Sequence, residues 1–321
     1  MLRIRPFRND DPPGLVVLWN QSVTGRGSYP LHSPAPLERH IFSRPYFDPA
    51  GFLIAEDDGR MVGFVHAGFG ARQDESAPDR TRGVVCAIAV LPSHRRRRMG
   101  SELLQKAEQY LAARGSKIVQ AGAARPNNPF YFGLYGGSDS PGFLLSDAAA
   151  GPFLEFHGYR GVSTTFVLQR WLDRPVVVPD PRFAAVRRKY EMVDLSLTAV
   201  GSWWQECVLG LIEPTEFRLI EKLTGKAAAR ALAWSMDGYN DRWNVPAAGI
   251  LDIQVRQDAR RQGLAKFLMT QLLRNLKDRY VGIVEVQIPE TNQAALGLFR
   301  GLGMEQADIG RVYRRDLTDG S

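Results

Sequence analysis

The chain has 321 residues, 44% of them hydrophobic and 23% charged, with a formal net charge of +7. That length exceeds a single core, so two domains of an ordinary globular protein are expected, and the basic balance favours anionic partners without identifying one. Two cysteines far apart, Cys86 and Cys207, argue against a disulfide framework, and no apolar run has the length of a membrane span. The stretch MLRIRPFRNDD lacks the apolar core of a signal peptide, so a cytoplasmic, reducing setting is expected.

In chain order, GVVCAIAVLPSHRRRRMGSELLQKAEQYL (83–111) reads as an apolar strand ending at Val90, a basic turn, and a helix. The helix has one apolar face, Leu103, Leu104, Ala107 and Leu111. NPFYFGLYGG (128–137) then reads as a short helix, with Asn128 as its cap and Pro129 at its first position. DAAAGPFLEFHGY (147–159) has a similar pattern, but its Gly151-Pro152 pair would break a helix. The earlier register is preferred, which makes 136–152 an extra Gly- and Pro-rich loop. LDRPVVVPDPR (172–182) holds three prolines without helical period. The expected division is a first domain over 1–171, a linker over 172–184 and a second domain over 185–321.

The second domain repeats the first pattern in AGILDIQVRQDARRQGLAKFLMTQLLRNL (248–276), where Val255, Arg260 and Ala265 match Val90, Arg95 and Gly100. NQAALGLFRGLGM (292–304) follows, with Asn292 as a helix cap and Gly303 at the end. Two unequal copies of one α/β unit are expected. A helix N-terminus carries unpaired N–H groups and positive partial charge, so a strand-to-helix turn with small residues can cradle a pyrophosphate. Arg260, Arg261, Gln262, Gly263, Leu264 and Ala265 meet that need. Arg95, Arg96, Arg97, Arg98, Met99 and Gly100 occupy the same turn in the first copy, with Arg98 in place of the glycine.

Arg-x-x-Gly-x-Ala after a strand, followed by Asn-x-x-Ala-x-x-Leu-Phe-x-x-Leu-Gly-Met, resembles the GNAT acyltransferase superfamily. IRPFRNDDPPGLVVLWNQ and FLIAEDDGRMVGFVHAGF are similar to the opening strand, helix and hairpin of that fold. The tandem arrangement is similar to that of mycothiol synthase. The resemblance implies two GNAT-like domains, each a mixed, mostly antiparallel twisted sheet flanked by helices. It also implies acetyl-CoA as donor, with pyrophosphate on the turn and pantetheine between splayed strands near Ile253 and Val255. Asn292 matches the family asparagine that contacts the cofactor, and Asn128 is its counterpart in the preferred register.

Acetyl transfer requires an amine that loses its proton, donors for an oxyanion, and a proton for the departing thiolate. The family's tyrosine acid falls at Tyr135 in the first copy and at Phe299 in the second; in the later register it would be Leu154. Asp252 is a candidate base, with Glu285 beside it, although solvated strand carboxylates account equally for both. His66 reads better as a packed histidine than as a base. The expected activity is N-acetyl transfer from acetyl-CoA to a primary amine of a small molecule or peptide, by a monomer or homodimer with no membrane or nucleic-acid partner and no metal. The competing reading is a non-catalytic CoA-binding module, because neither copy has both the glycine turn and the tyrosine.

Overall fold

The computed structural model describes residues 2–196, 201–209 and 212–317. The first half runs β1 (Leu2–Pro6), α1 (Pro12–Ser22), α2 (Ala35–Leu37), β2 (Phe52–Asp57), β3 (Arg60–Ala71) and β4 (Pro78–Val90). It continues with α3 (Met99–Ala113), β5 (Ile118–Ala121), β6 (Phe143–Leu144), α4 (Ala150–Phe156) and β7 (Arg160–Trp171). The second half opens with α5 (Phe183–Lys189), β8 (Tyr190–Ser196), α6 (Trp203–Leu209), β9 (Thr215–Glu221) and β10 (Ala227–Ser235). Then come α7 (Asn240–Trp243), β11 (Ala247–Val255), α8 (Leu264–Asp278), β12 (Ile283–Pro289), α9 (Gln293–Gly301) and β13 (Glu305–Asp316). Among the described residues, no helix is long and apolar enough to cross a membrane.

Both halves build one unit for the same local reasons. β4 runs parallel to β5, and β11 parallel to β12, and a parallel neighbour needs a long crossover, supplied by α3 and α8. The stripe read from the sequence is the face these helices bury. Leu103, Ala107 and Leu111 on α3, and Leu268, Met269 and Leu272 on α8, have no exposed surface. Each such leucine contributes about 1.5–3 kcal/mol of burial.

Strand order joins the halves: β1-β2-β3-β4-β5-β13-β7-β12-β11-β10-β9-β8, with β6 attached to β13. The last strand of each half has crossed over. β7 pairs antiparallel with β12, placing Trp171 opposite Ile283, whereas β13 pairs with β5, placing Tyr313 opposite Ala121. β7 and β13 also pair with each other. Each half therefore closes the other's sheet edge, which would otherwise offer unpaired backbone groups.

Among the described residues, four buried clusters follow from this. In the first half one cluster lies between the sheet and α3 and α4, and an aromatic one built on Phe7, Trp19, Phe52, Phe64 and Tyr131 lies on the other face. The second half packs its core beneath α8 and α9. A fourth cluster, including Phe132, Trp204, Trp234 and Tyr239, joins the halves.

The structure corrects the register of the first copy. The helix that parallels α9 is α4, at 150–156, and not the stretch 128–137. Pro152 is tolerated because it is the third helical residue, where the missing N–H would have no intrahelical acceptor. In the stretch 128–137, by contrast, Tyr131, Gly133, Gly136 and Gly137 all have positive φ, so the chain turns repeatedly and cannot wind. The extra segment therefore lies before the helix and is longer than 136–152: residues 122–149, β6 included, separate β5 from α4, where only 290–292 separate β12 from α9.

Candidate active site

Each half has an opening between its two parallel strands. Pairing of β4 with β3 shifts register between His66 and Ala67, which leaves Cys86 as an extra residue; pairing of β11 with β10 leaves Leu251 extra in the same way. Such bulges bend a strand. β4 stays paired to β5 only through Val85, and β11 to β12 only through Ile250, so each sheet splays where it is bulged. Val90 turns its carbonyl to the free edge, where Arg95 Nε donates to it at 3.0 Å, and Val255 receives Arg260 Nε at 3.2 Å. Peptide direction alternates along a strand, so Ile88 and Ile253 present their N–H and C=O groups to the same edge.

The two basic turns are conformational twins. φ is +62° at Arg96 and +64° at Arg98, against +63° at Arg261 and +82° at Gly263. Arg98 thus adopts the left-handed backbone that glycine adopts in the second copy, at a cost of about 1 kcal/mol. Both turns deliver the chain to a helix whose first amides lack an intrahelical partner. The residues in each turn divide by role. Arg95 and Arg260 brace the turn through the valine carbonyls, and Arg95 also donates to the Ser22 carbonyl at 3.2 Å. Met99 and Leu264 are buried anchors, while Arg96, Arg97 and Arg98 are exposed.

In the first half the splay opens into a cavity of about 650 Å³. Its wall includes the edge of β4 from Cys86 to Val90, and Arg95, Arg96, Arg98 and Gly100 stand at one end. Tyr135 reaches the cavity from a loop, not from a helix. Its hydroxyl oxygen accepts from the Leu144 N–H at 3.1 Å, and burial raises its pKa above the usual tyrosine value, so it stays protonated. Leu154 holds the corresponding helical position and is fully buried. Asp147, which matches Asn292 in the corrected register, is exposed and lines the cavity.

Asn128 is not brought to this cleft. It is buried beside a separate cavity of about 340 Å³, and its Nδ2 donates to Ser140 Oγ at 3.4 Å. His66 is a packed histidine, fully buried, with Nδ1 3.2 Å from the Tyr131 hydroxyl. Desolvation lowers its pKa to about 3, so the ring is neutral.

The second turn has a cover. A Cβ placed on Gly263 would stand 3.1 Å from Arg182 Nε, so that guanidinium lies on the glycine itself. Asp180 holds Arg182 with contacts of 2.9 and 2.7 Å and reaches Lys266 Nζ at 3.3 Å. Those cations keep the Asp180 carboxyl well below the usual carboxylate range, the Arg182 hydrogen bond being the largest cause. Around this turn, Ile253 and Val255 pack on the core, which puts Asp252 on the opposite strand face, half-exposed and 3.5 Å from Arg230. Asn292 caps α9 by accepting from Ala295 N at 3.1 Å, and Phe299 is fully buried. Gln262 Nε2 donates to the Asp258 carbonyl at 3.4 Å, and Ala265 is half-buried in the first turn of α8.

Glu285 ties the halves together. Fully buried, it accepts from Ser138 N and Gln169 Nε2, each at 2.7 Å, and from Arg26 Nη2 at 3.1 Å. Nearby, Tyr239 donates to the Gly27 carbonyl at 3.1 Å, Trp243 Nε1 to the Arg26 carbonyl at 3.1 Å, and Arg242 to the Ser28 carbonyl at 3.1 Å. The segment they hold bridges to the Tyr135 loop through Ser28 and receives Trp19 Nε1 on the Tyr29 carbonyl at 2.8 Å. The second half thus braces a segment that contacts Trp19 and Tyr135, two residues that line the first half's cavity. No local sequence signal marks these residues, because their role exists only between distant segments.

Comparison with known proteins gives a consistent result. The profile of the Acetyltransferase (GNAT) family matches residues 17–135 and again 183–304. An acetyltransferase of Pectobacterium atrosepticum is 31% identical over 134 residues, covering 42% of this chain and 84% of that protein. One from Yersinia pestis is 30% identical with the same coverage. A tandem GNAT protein from the clavulanic acid biosynthesis pathway superposes with a TM-score of 0.72 over 100% of both chains, at 16% identity. A GCN5-related N-acetyltransferase from Sphaerobacter thermophilus gives 0.62 at 18% identity, over 100% of this chain and 97% of the other. At such identities the likeness concerns the fold.

Proposed function

Because the chain belongs to the GNAT acetyltransferase family, we propose that it transfers an acetyl group from acetyl-CoA to the primary amine of a small molecule, in the cleft of its first half. The carrying observation is the cavity of about 650 Å³ that runs from the Arg95–Gly100 turn through the splay of β4 and β5. The second turn lies under Arg182 and Asp180 and serves as part of a scaffold.

The residues of the first cleft fit the donor. Arg96, Arg98 and the first amides of α3 would hold its pyrophosphate, by charge-assisted bonds and the helix end. The free edge at Ile88 and Val90 would pair with the pantetheine amides. Acetyl-CoA supplies an activated acyl thioester. Edge N–H groups near Ile88 would donate to the acyl oxygen as it gains charge. The Tyr135 hydroxyl, kept protonated by burial, would donate to the sulfur as the C–S bond breaks and the C–N bond forms. Asp147 is exposed and is the one carboxylate among the described lining residues. The amine therefore loses its proton to solvent at the mouth, and activity should rise with pH until the acceptor's own pKa is passed.

Amine-dependent release of CoA thiol tests this. Tyr135→Phe should lower kcat about 100-fold with acetyl-CoA affinity unchanged. An unchanged kcat would remove Tyr135 from the reaction, and absence of thiol release by wild type with every class of amine would refute the function.

A further inference from the structure

The cavity has two chemically different walls, and the one on the α1 face of the sheet bears on the acceptor. There the wall is made by Trp19, Phe64 and Tyr131, next to Cys86 and Ala87 of the bulged strand. Trp19 and Tyr131 lie parallel, 3° apart, with ring centroids separated by 5.9 Å. Their polar atoms are engaged elsewhere: Trp19 Nε1 on the Tyr29 carbonyl and the Tyr131 hydroxyl beside His66 Nδ1. Ring carbon is therefore what these residues offer a ligand. Behind them His66 is neutral, and no carboxylate stands on this wall among the described lining residues. Where the second half has Asp252, the first has Ala87.

This chemistry discriminates between amines. A second ammonium buried against this wall would find no carboxylate of the wall itself, and the arginines of the same cavity would repel it. Sugar hydroxyls would lose water without gaining partners, at about 1–3 kcal/mol each. A flat apolar ring would lose nothing polar and gain contact with aromatic faces. We propose that the acceptor is a monoamine carried on a ring-bearing apolar body, an arylalkylamine in chemical class, whose ring lies against Trp19, Phe64 and Tyr131. This rests on the first-half cleft being the site of acetyl transfer.

The test compares 2-phenylethylamine, spermidine and glucosamine as acceptors in acetyl-CoA-dependent thiol release, with calorimetric binding of each to the CoA-loaded protein. The expected kcat/KM for 2-phenylethylamine exceeds that for spermidine by about 100-fold, in line with the cost of an unpaired buried charge, and only 2-phenylethylamine binds measurably. Ala87→Asp, at a half-buried strand position, should narrow that ratio by about tenfold or more. An unchanged ratio in this variant would overturn the placement of the acceptor on this wall. Preference for spermidine or glucosamine would overturn the acceptor class while leaving acetyl transfer intact. Thiol release with none of the three, despite acetyl-CoA binding, would overturn the arylalkylamine class, whereas the acetyl-transfer reading falls only when every class of amine fails.

Discussion

Arg98 puts a charged side chain at a left-handed backbone position that suits glycine. Arg98→Gly relieves about 1 kcal/mol of left-handed strain, and the added freedom of the unfolded chain offsets a similar amount. Thermal melting should therefore move little, while the Kd for acetyl-CoA rises about tenfold with the loss of a charge-assisted contact; calorimetry beside a melting curve separates the two effects. His66 acts on stability instead. Its pKa is about 3 in the folded chain, below the ordinary histidine value near 6.5. Above about pH 6.5 both states are neutral there, and below it the unfolded chain takes up a proton that the folded chain refuses. Stability thus falls as pH falls, by about 3 kcal/mol from this group near pH 4. His40, lowered to about 4 by burial, adds in the same direction. His66→Phe should flatten the decline in melting temperature between about pH 6 and pH 4, and an undiminished slope would assign the acid sensitivity elsewhere.

At the scale of elements, what repeats locally was legible in the sequence and what depends on long-range packing was not. The strand, basic turn and helix of each copy could be read because a buried stripe has a period and a helix start has a small residue. Assignment of the later helix in the first copy failed on Pro152, which reads as a breaker until its place in the first helical turn is known. Tyr135 reaches the cleft from a loop whose path depends on glycines and on the partner half, so its helical alignment with Phe299 was accidental. The segment from Arg26 to Tyr29 illustrates the same limit, since Tyr239, Arg242 and Trp243 that fasten it come from more than two hundred residues away. Arg242→Ala should loosen this brace on Trp19 and Tyr135 and raise the acceptor KM about tenfold, with the acetyl-CoA KM and the melting temperature nearly unchanged. Equal effects on both substrates would mean that the clamp does not shape the acceptor end.

At the scale of the molecule, the exchange of β7 and β13 makes the two copies one folding unit. A separate 1–171 fragment keeps β7 but lacks the strand beside β5, and a separate 185–321 fragment lacks the strand beside β12. Each should be largely unfolded or aggregated alone by circular dichroism and size exclusion, and the two expressed together should recover a folded complex. Independent folding of either would show that the exchange is dispensable. The same union explains a copy with a covered turn: it supports the cleft next door. Counting cofactor sites by calorimetry tests that division of labour most directly, using wild type, Arg96→Glu/Arg98→Glu and Gly263→Arg. One acetyl-CoA per chain, lost on charge reversal in the first turn and kept in Gly263→Arg, is the predicted result. Two sites, or a single site lost in Gly263→Arg and kept after the charge reversal, would contradict it.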